Sequence, residues 1–494
     1  MKTAAIALLM IGLAQAQTGH ALHGTVTSVD IAGKRLTIQN EAIEGWMGAM
    51  TMAYAVDNPD VLNVLKPGDR ITATVYDNDP ILHAVAAVVS TTKGSVRLED
   101  LEKMALLANP SMAQARAGVR SATGLARQAG LYPNPTVGYY GDEIRGGYSG
   151  GGKQGGFISQ TIVLGGKLGA ARRVAVLQAS EAEAGVQLQS TRIVNNVRAL
   201  FYHAVAAQRM VEVRRKIVAL SADATQTAAQ LGNVGLVDRP DILQAEVEQQ
   251  QAGMNLRVAE QGLETAWRLL ASVVGRPDLV RGQLEDELEK LPDLKYEESV
   301  ANTLRDSPEG TVAQIAVTRA EASLASARKE PIPNLEISAN LTHNFEPLET
   351  THLATGVQGG AQVGVQIPIF NRNQGAIESA RGQIEAARQD LARVRWRLQR
   401  DVAGMFLGYN AARLSAQQYR QEMLPRAEQA FKMYTSNYQN MAAPYSLVLL
   451  AQRTLFQLEA DYVQALENAW QSAVAIQGFG LMDGLASPAR GSGY

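Results

Sequence analysis

The second half of this chain repeats the first. Met112 to Pro133 reads MAQARAGVRSATGLARQAGLYP, and Val312 to Pro333 reads VAQIAVTRAEASLASARKEPIP. The correspondence continues: QTIVLGGKLGAARR (160–173) returns as QIPIFNRNQGAIES (366–379), and GNVGLVDRPDILQAE (232–246) as YQNMAAPYSLVLLAQ (438–452). A unit of roughly 200 residues, duplicated in tandem, must fold twice into one pattern and pack as pseudo-equivalents. Within each copy the order read from the residues is helix, short strand pair, very long helix, turn, long helix.

The strands carry the clearest pattern. Leu335 to Thr342 alternates apolar and polar residues, and Ala361, Val363, Val365 and Ile367 interleave with Gly360, Gln362, Gly364 and Gln366. Period-two alternation predicts strands with one apolar and one wet face. Thr136 to Tyr140 and Gly156 to Val163 are the first copy's weaker version, flanking GGYSGGGKQGG. Each hairpin is expected to close through a loop of a dozen residues or more. Pro133, Pro135, Pro333 and Pro368 mark hand-over between helix and strand. Residues 167–231 contain no proline and only Gly169 and Gly185, so one helix on the order of 100 Å is expected. Residues 375–424 read alike and continue past Pro425. Val194, Val197, Leu200, Phe201, Val205 and Met210 recur at helical spacing and predict a buried face.

The N-terminus, MKTAAIALLMIGLAQAQ, has a basic residue (Lys2), an apolar run (Ala4 to Leu13) and a small-x-small site (Ala14-Gln15-Ala16). It predicts a secretory signal peptide over 1–16, with the mature chain beginning near Gln17. No other window reaches the roughly 18 apolar residues of a spanning helix. Four amphipathic strands cannot close a barrel, and an open sheet edge in lipid leaves N–H and C=O groups unpartnered. The simplest consistent solution is that several chains pool strands into one closed barrel, with the long helices continuing the cylinder. Net charge is −2, so no pull toward nucleic acid is expected, and cysteine is absent. The six histidines are scattered, and neither a nucleophile motif nor a Walker-type loop is present, so no enzyme and no catalytic residue is expected.

Residues 97–485 resemble the trimeric outer-membrane channel family typified by TolC, most closely its heavy-metal branch (CusC- and CzcC-like). The resemblance rests on Ala108-Asn109-Pro110-Ser111, Leu131-Tyr132-Pro133-Asn134-Pro135, Gly235 with Asp241-Ile242-Leu243-Gln244-Ala245-Glu246, Pro333-Asn334, Pro368-Ile369-Phe370-Asn371 and Tyr438. It implies a mixed α and β outer-membrane protein: a homotrimer, four strands per chain, with a twelve-stranded transmembrane β-barrel above a periplasmic α-helical barrel. Its partners would be outer-membrane lipid, a periplasmic adaptor and an inner-membrane RND pump. The repeats would occupy 98–290 and 291–485, with a disordered tail over 486–494. In relatives two aspartates ring the periplasmic end of the pore; the matching positions here hold Leu447 and Leu450. A leucine ring would gate by dewetting. Alternatively, both leucines face a neighbouring helix. The lipidation cysteine of the metal branch is missing.

Residues 20–90 lie outside the repeat. Gly24–Val29, Arg35–Ile38, Met50–Tyr54, Ile71–Tyr76 and Leu82–Val89 read as five strands of a small OB-like closed barrel, with turns at Ala32-Gly33-Lys34 and Lys66-Pro67-Gly68-Asp69 and a linker over 91–97. In Trp46-Met47-Gly48-Ala49-Met50-Thr51-Met52, strand parity puts Met50 and Met52 on one face. Paired thioethers suit Cu(I) or Ag(I), and an indole can cap a cation; alternatively, the methionines fill a small core. The segment is similar to the periplasmic copper chaperone CusF. That resemblance implies Trp46, Met50 and Met52 as ligands of Cu(I) or Ag(I), with no other cofactor. The chaperone's histidine position is read as Gln39, and the substitutes are Met47 first, or His20, His23 or His83. The expected function is the passive outer-membrane conduit of a tripartite metal-efflux system with a fused metal-binding domain. A drug or polypeptide channel with a vestigial front domain, and a non-channel envelope scaffold, are the alternatives.

Overall fold

The structure, a computed structural model, describes residues 19–43, 45–77, 79–88, 95–144, 151–233, 237–285, 287–347, 354–440 and 442–488. The expected leader, Gly235, much of the glycine-rich loop and most of the expected linker and tail lie outside the described residues. Strands β1–β5 are Gly19–Asp30, Arg35–Asn40, Met50–Val56, Arg70–Tyr76 and Ile81–Val88, and β6 is Ser95–Val96. The later strands are β7 (Thr136–Asp142), β8 (Lys153–Ile162), β9 (Gln283–Leu284), β10 (Leu335–Pro347) and β11 (Ala354–Val365). Helices α1–α4 are Leu98–Ala108, Pro110–Gln128, Lys167–Asn233 and Arg239–Val274. Helices α5–α9 are Tyr296–Asp306, Pro308–Lys329, Gln374–Gln418, Leu424–Gln439 and Tyr445–Gln477. The chain divides into two compact units, and each repeat contributes to both. One takes residues up to Met112, Arg192–Asp293 and Phe406–Ala486; the other takes Ala113–Thr191 and Leu294–Met405.

The first unit begins with a closed barrel in the order β1-β2-β3-β5-β4. Its inward face is apolar at alternate positions: Leu22, Val26, Leu36, Ile38, Ile71, Val75 and Leu82 are all buried. Each such side chain stabilises by about 1.5–3 kcal/mol when fully buried. The barrel is not merely strung in front of the helices. Helix α1 packs against β5, and Lys103 Nζ lies 2.6 Å from Asp69 Oδ1 at a largely buried pair. β6 pairs in parallel with β9.

Among the helices of this unit, α3 buries Val197, Phe201 and Val205 as the periodicity predicts, with Ile193, Ala204 and Val211 beside them. Val194, Leu200 and Met210 flank that face, half-buried. Trp470 of α9 stacks on Tyr202 with ring centroids 3.7 Å apart, and its indole N–H donates to the Leu288 carbonyl at 2.8 Å. Asn109 joins three elements. Its Nδ2 donates to Val273 O at 2.8 Å, while its Oδ1 accepts from the Ser111 N–H at 2.9 Å and caps α2. Gly275 ends α4 at φ 78, where a Cβ would fall 2.7 Å from Ala108 O. The motif Ala108-Asn109-Pro110-Ser111 is thus a joint between helix ends.

Absence of proline lets α3 run 67 residues without interruption. The second copy is interrupted: a π segment, Tyr419–Met423, separates α7 from α8. Pro425 has no N–H to give to the residue four before it, and the wider π turn absorbs that loss.

The second unit holds the four-stranded antiparallel sheet, in the order β11-β10-β8-β7. Its register sorts the side chains. Val137, Ile158, Ala339 and Ala361 align across the sheet, and so do Ile162, Leu335 and Val365. On the other face Thr136, Ser159, Ser338 and Gln362 align. The first face is apolar and open, with Val137, Tyr139, Leu341, Val357 and Val363 exposed. Glycine keeps the polar face tight: a Cβ on Gly155 would fall 2.0 Å from Leu341 O. The strands extend further toward their connections than the alternation shows, leaving 143–152 and 348–353 between them. Both connections are therefore shorter than the expected dozen or more residues. In the second hairpin Phe345 and Val357 continue the strands through stretches whose His343, Glu346 and Gly356 obscure the pattern; in the first, Asp142 and Lys153 extend the pairing through residues that do not alternate.

Replacing Asn109 by Ala removes a buried bond and a cap together and should destabilise the first unit by about 2 kcal/mol; a lowered Tm in scanning fluorimetry would register it. His203 Nδ1 lies 2.6 Å from Glu467 Oε1. That hydrogen bond, against the opposing pull of burial and with help from the carboxylate charge, raises the imidazole pKa above its usual value. A raised folded pKa gives stability that is complete below about pH 6.5 and lost as pH rises through the folded value. His203→Gln should therefore lower Tm more at about pH 5.5 than at about pH 8.5. An equal loss at both would contradict the pairing.

Candidate soft-metal site and channel end

The connection from β2 to β3 folds back on itself. Ile43 N–H donates to Met47 O at 2.7 Å, and the Trp46 and Met47 N–H groups return to Ile43 O at 3.1 Å each. Gly45 supplies the left-handed residue this turn needs, at φ 78. Trp46 and Met47 are thereby brought back beside β3, which carries Met50 and Met52.

Four of the sequence-predicted residues, Trp46, Met47, Met50 and Met52, lie at this end of the barrel. Met50 and Met52 share the inward parity of β3, yet at the barrel mouth they remain 43% and 39% exposed. The Tyr54 hydroxyl lies 3.7 Å from Met47 Sδ and 3.8 Å from Met52 Sδ and donates to one or the other. Trp46 stacks on His20, ring centroids 4.6 Å apart and planes within 10°. The His20 Nε2 is 3.1 Å from Asp77 Oδ1. The other histidines stand elsewhere. His23 is exposed on the outward parity of β1, and His83 sits between Asp57 and Asp79, at 3.5 and 3.1 Å.

Gln39 is not part of this site. It pairs with Thr51, on the opposite face from the methionines, and is exposed. The residue facing Met50 is Asn40, which is 1% exposed. Its Nδ2 donates to Glu41 O at 3.1 Å and Gly48 O at 3.3 Å and touches Met47 Sδ at 3.9 Å. Its Oδ1 is buried without a hydrogen-bond donor among the described residues. Strand parity holds the signal: two residues on from the inward Leu36 and Ile38 comes Asn40.

Thioethers are soft, uncharged donors, suited to a polarizable monovalent cation more than to a hard divalent one. The indole face left uncovered by His20 can lie against such a cation. Among the described residues no group of three or more His, Asp or Glu side chains could hold a metal ion. The donor set thus fits Cu(I) or Ag(I) by its chemistry.

At the other candidate site, α9 buries Tyr445, Val448 and Leu449 against Ala228 of α3 and Ala245 of α4, with Ile242, Phe431 and Tyr438 around them. Burial pushes the Tyr445 phenol up to about 12, with further contributions from Tyr438, Asp241 and Glu248. Leu450 points away from the cluster, 61% exposed, and Leu447 is half-buried one turn before it.

Comparison with known proteins agrees with both parts of this architecture. Residues 19–88 match the model of the copper-binding periplasmic protein CusF. The cobalt-zinc-cadmium resistance protein CzcC of Cupriavidus metallidurans is 27% identical over 383 residues, covering 78% of this chain and 89% of that protein. In fold, the chain is similar to the crystal structure of CusC (TM-score 0.66, 16% identity, 78% of this chain and 92% of that one). It is likewise similar to the outer membrane protein VceC of Vibrio cholerae (TM-score 0.63, 19% identity, 78% and 96%). The outer membrane efflux protein model matches residues 101–276 and 300–478, most of the chain, and the chain belongs to that family of outer-membrane channels.

Proposed function

We propose that this protein is the outer-membrane conduit of a tripartite heavy-metal export system, and that its cargo is a soft monovalent cation, Cu(I) or Ag(I). The observation that carries the reading is the sheet β11-β10-β8-β7, apolar on one face, polar on the other and open at both edges. Three copies would close it into one barrel, β7 of each meeting β11 of the next, with lipid outside and water within. The long helices would line the periplasmic continuation, which meets an adaptor and an RND pump. Such a channel is a passive path and not an enzyme.

The metal part of the proposal draws on the relative named for cobalt, zinc and cadmium resistance and departs from it over the ion. Those ions favour nitrogen, oxygen or thiolate donors, whereas Met50 and Met52 with Trp46 and Met47 offer thioethers and a π face. Docking of the barrel on α1 through Lys103 and Asp69 would place this site beside the conduit permanently. Leu447 and Leu450 are proposed to narrow the periplasmic end and close it by dewetting.

Two measurements test this. Cells lacking the protein should tolerate less silver and copper than cells carrying it, and Met50→Ala/Met52→Ala should reproduce part of that loss; full tolerance in the variant would remove the front domain from the function. In planar bilayers Leu450→Asp should raise the open-channel current severalfold by wetting the constriction, whereas an unchanged current would place Leu450 outside the gate.

A further inference from the structure

We infer that the front barrel holds its cation on thioethers alone, with Met47 as the third donor beside Met50 and Met52, and that capture is consequently insensitive to pH over the envelope's acid range. The inference rests on the reading of the front domain as a soft-metal site and adds its donor set.

Three observations carry it. First, one hydroxyl, that of Tyr54, reaches both Met47 Sδ and Met52 Sδ, at 3.7 and 3.8 Å, so both sulfurs already stand within contact range of a single point. Met50 follows the same strand parity as Met52, one step nearer the mouth. Second, Asn40 Nδ2 touches Met47 Sδ at 3.9 Å, while its own buried Oδ1 is left without a donor among the described residues. A buried acceptor of this kind loses solvation without compensation, and a cation held at the neighbouring sulfurs offsets that cost. Third, the nearest histidine is engaged otherwise. His20 lies flat against Trp46 and is tied through Nε2 to Asp77, a position from which it covers the far side of the indole.

Among the described residues, the charged and titratable groups around the site are His20 with Asp77, the Tyr54 phenol, and Glu41 with Arg70 at 2.7 Å beyond Asn40. His83 with Asp57 and Asp79 lies on the neighbouring strand β5. None of them belongs to the donor set. Thioether sulfur takes up no proton in the range where imidazole titrates, so a three-thioether site keeps its affinity where a histidine-containing one would lose it.

The test is silver nitrate titration of the full chain in detergent, in chloride-free buffer, read by Trp46 fluorescence with Trp46→Phe as the signal control. The wild type should bind one Ag(I) with affinities at about pH 5 and about pH 7.5 within threefold of each other. Met47→Leu, which keeps the bulk and removes the sulfur, should weaken binding at least tenfold at both. A tenfold loss of wild-type affinity at the lower pH, or a tenfold loss in His20→Phe, would overturn the all-thioether set in favour of a histidine ligand. Binding that is lost in Met50→Ala/Met52→Ala but unchanged in Met47→Leu would overturn the role of Met47 and leave the metal-binding reading standing. No stoichiometric binding by the wild type would overturn both.

Discussion

The outward-facing backbone N–H and C=O groups of the two edge strands, β7 and β11, have no partner strand among the described residues, and the remaining features of the molecule follow from that. In water such edges are tolerable. In hydrocarbon each unpaired group costs several kcal/mol. The apolar face that Val137, Ile158, Leu341 and Val363 build faces lipid at little cost only if the edges are closed. On the proposed assembly neighbouring copies would close them, and the tandem duplication would then make sense physically. Each repeat supplies one hairpin, the two hairpins join through β8 and β10, and an even number of strands per chain lets identical copies continue one antiparallel sheet.

Joined to this conduit is a domain of a different kind. The barrel of β1–β5 closes on its own core and presents its methionines at the mouth, where a buried polar residue, Asn40, and a buried phenol, Tyr54, hold soft side chains in place. Methionine is flexible, and without such contacts its sulfur would sample many positions. Lys103 and Asp69 keep the barrel against α1, so an ion captured as proposed would stay attached to the conduit.

Much of this was legible in the residues, for identifiable reasons. The repeat, the sheet faces and the long helices rest on periodicity, which depends only on local geometry: Leu335 to Thr342 alternates because β10 has two faces, and α3 runs on because nothing in it stops a helix. The front barrel's strands were equally plain. What was not legible depends on partners distant in sequence. Gln39 looks like the better polar candidate until the register with β3 turns it outward and brings in Asn40. The meeting of Met47 and Met52 on Tyr54 requires the turn at Gly45, which the alternation of the strands does not encode. Docking through Lys103 and Asp69 joins residues whose charges are ordinary in isolation. Asn109 sat inside a motif with no assigned task; its bond to Val273 shows that the motif joins helices.

The central claim is that one chain cannot complete its own membrane sheet. The mass of the detergent-solubilised protein, measured by light scattering with the detergent contribution removed, tests it most directly. The account predicts three chain masses per particle, with no stable single-chain species in detergent. A monodisperse particle of one chain mass that still conducts ions in a bilayer would contradict it.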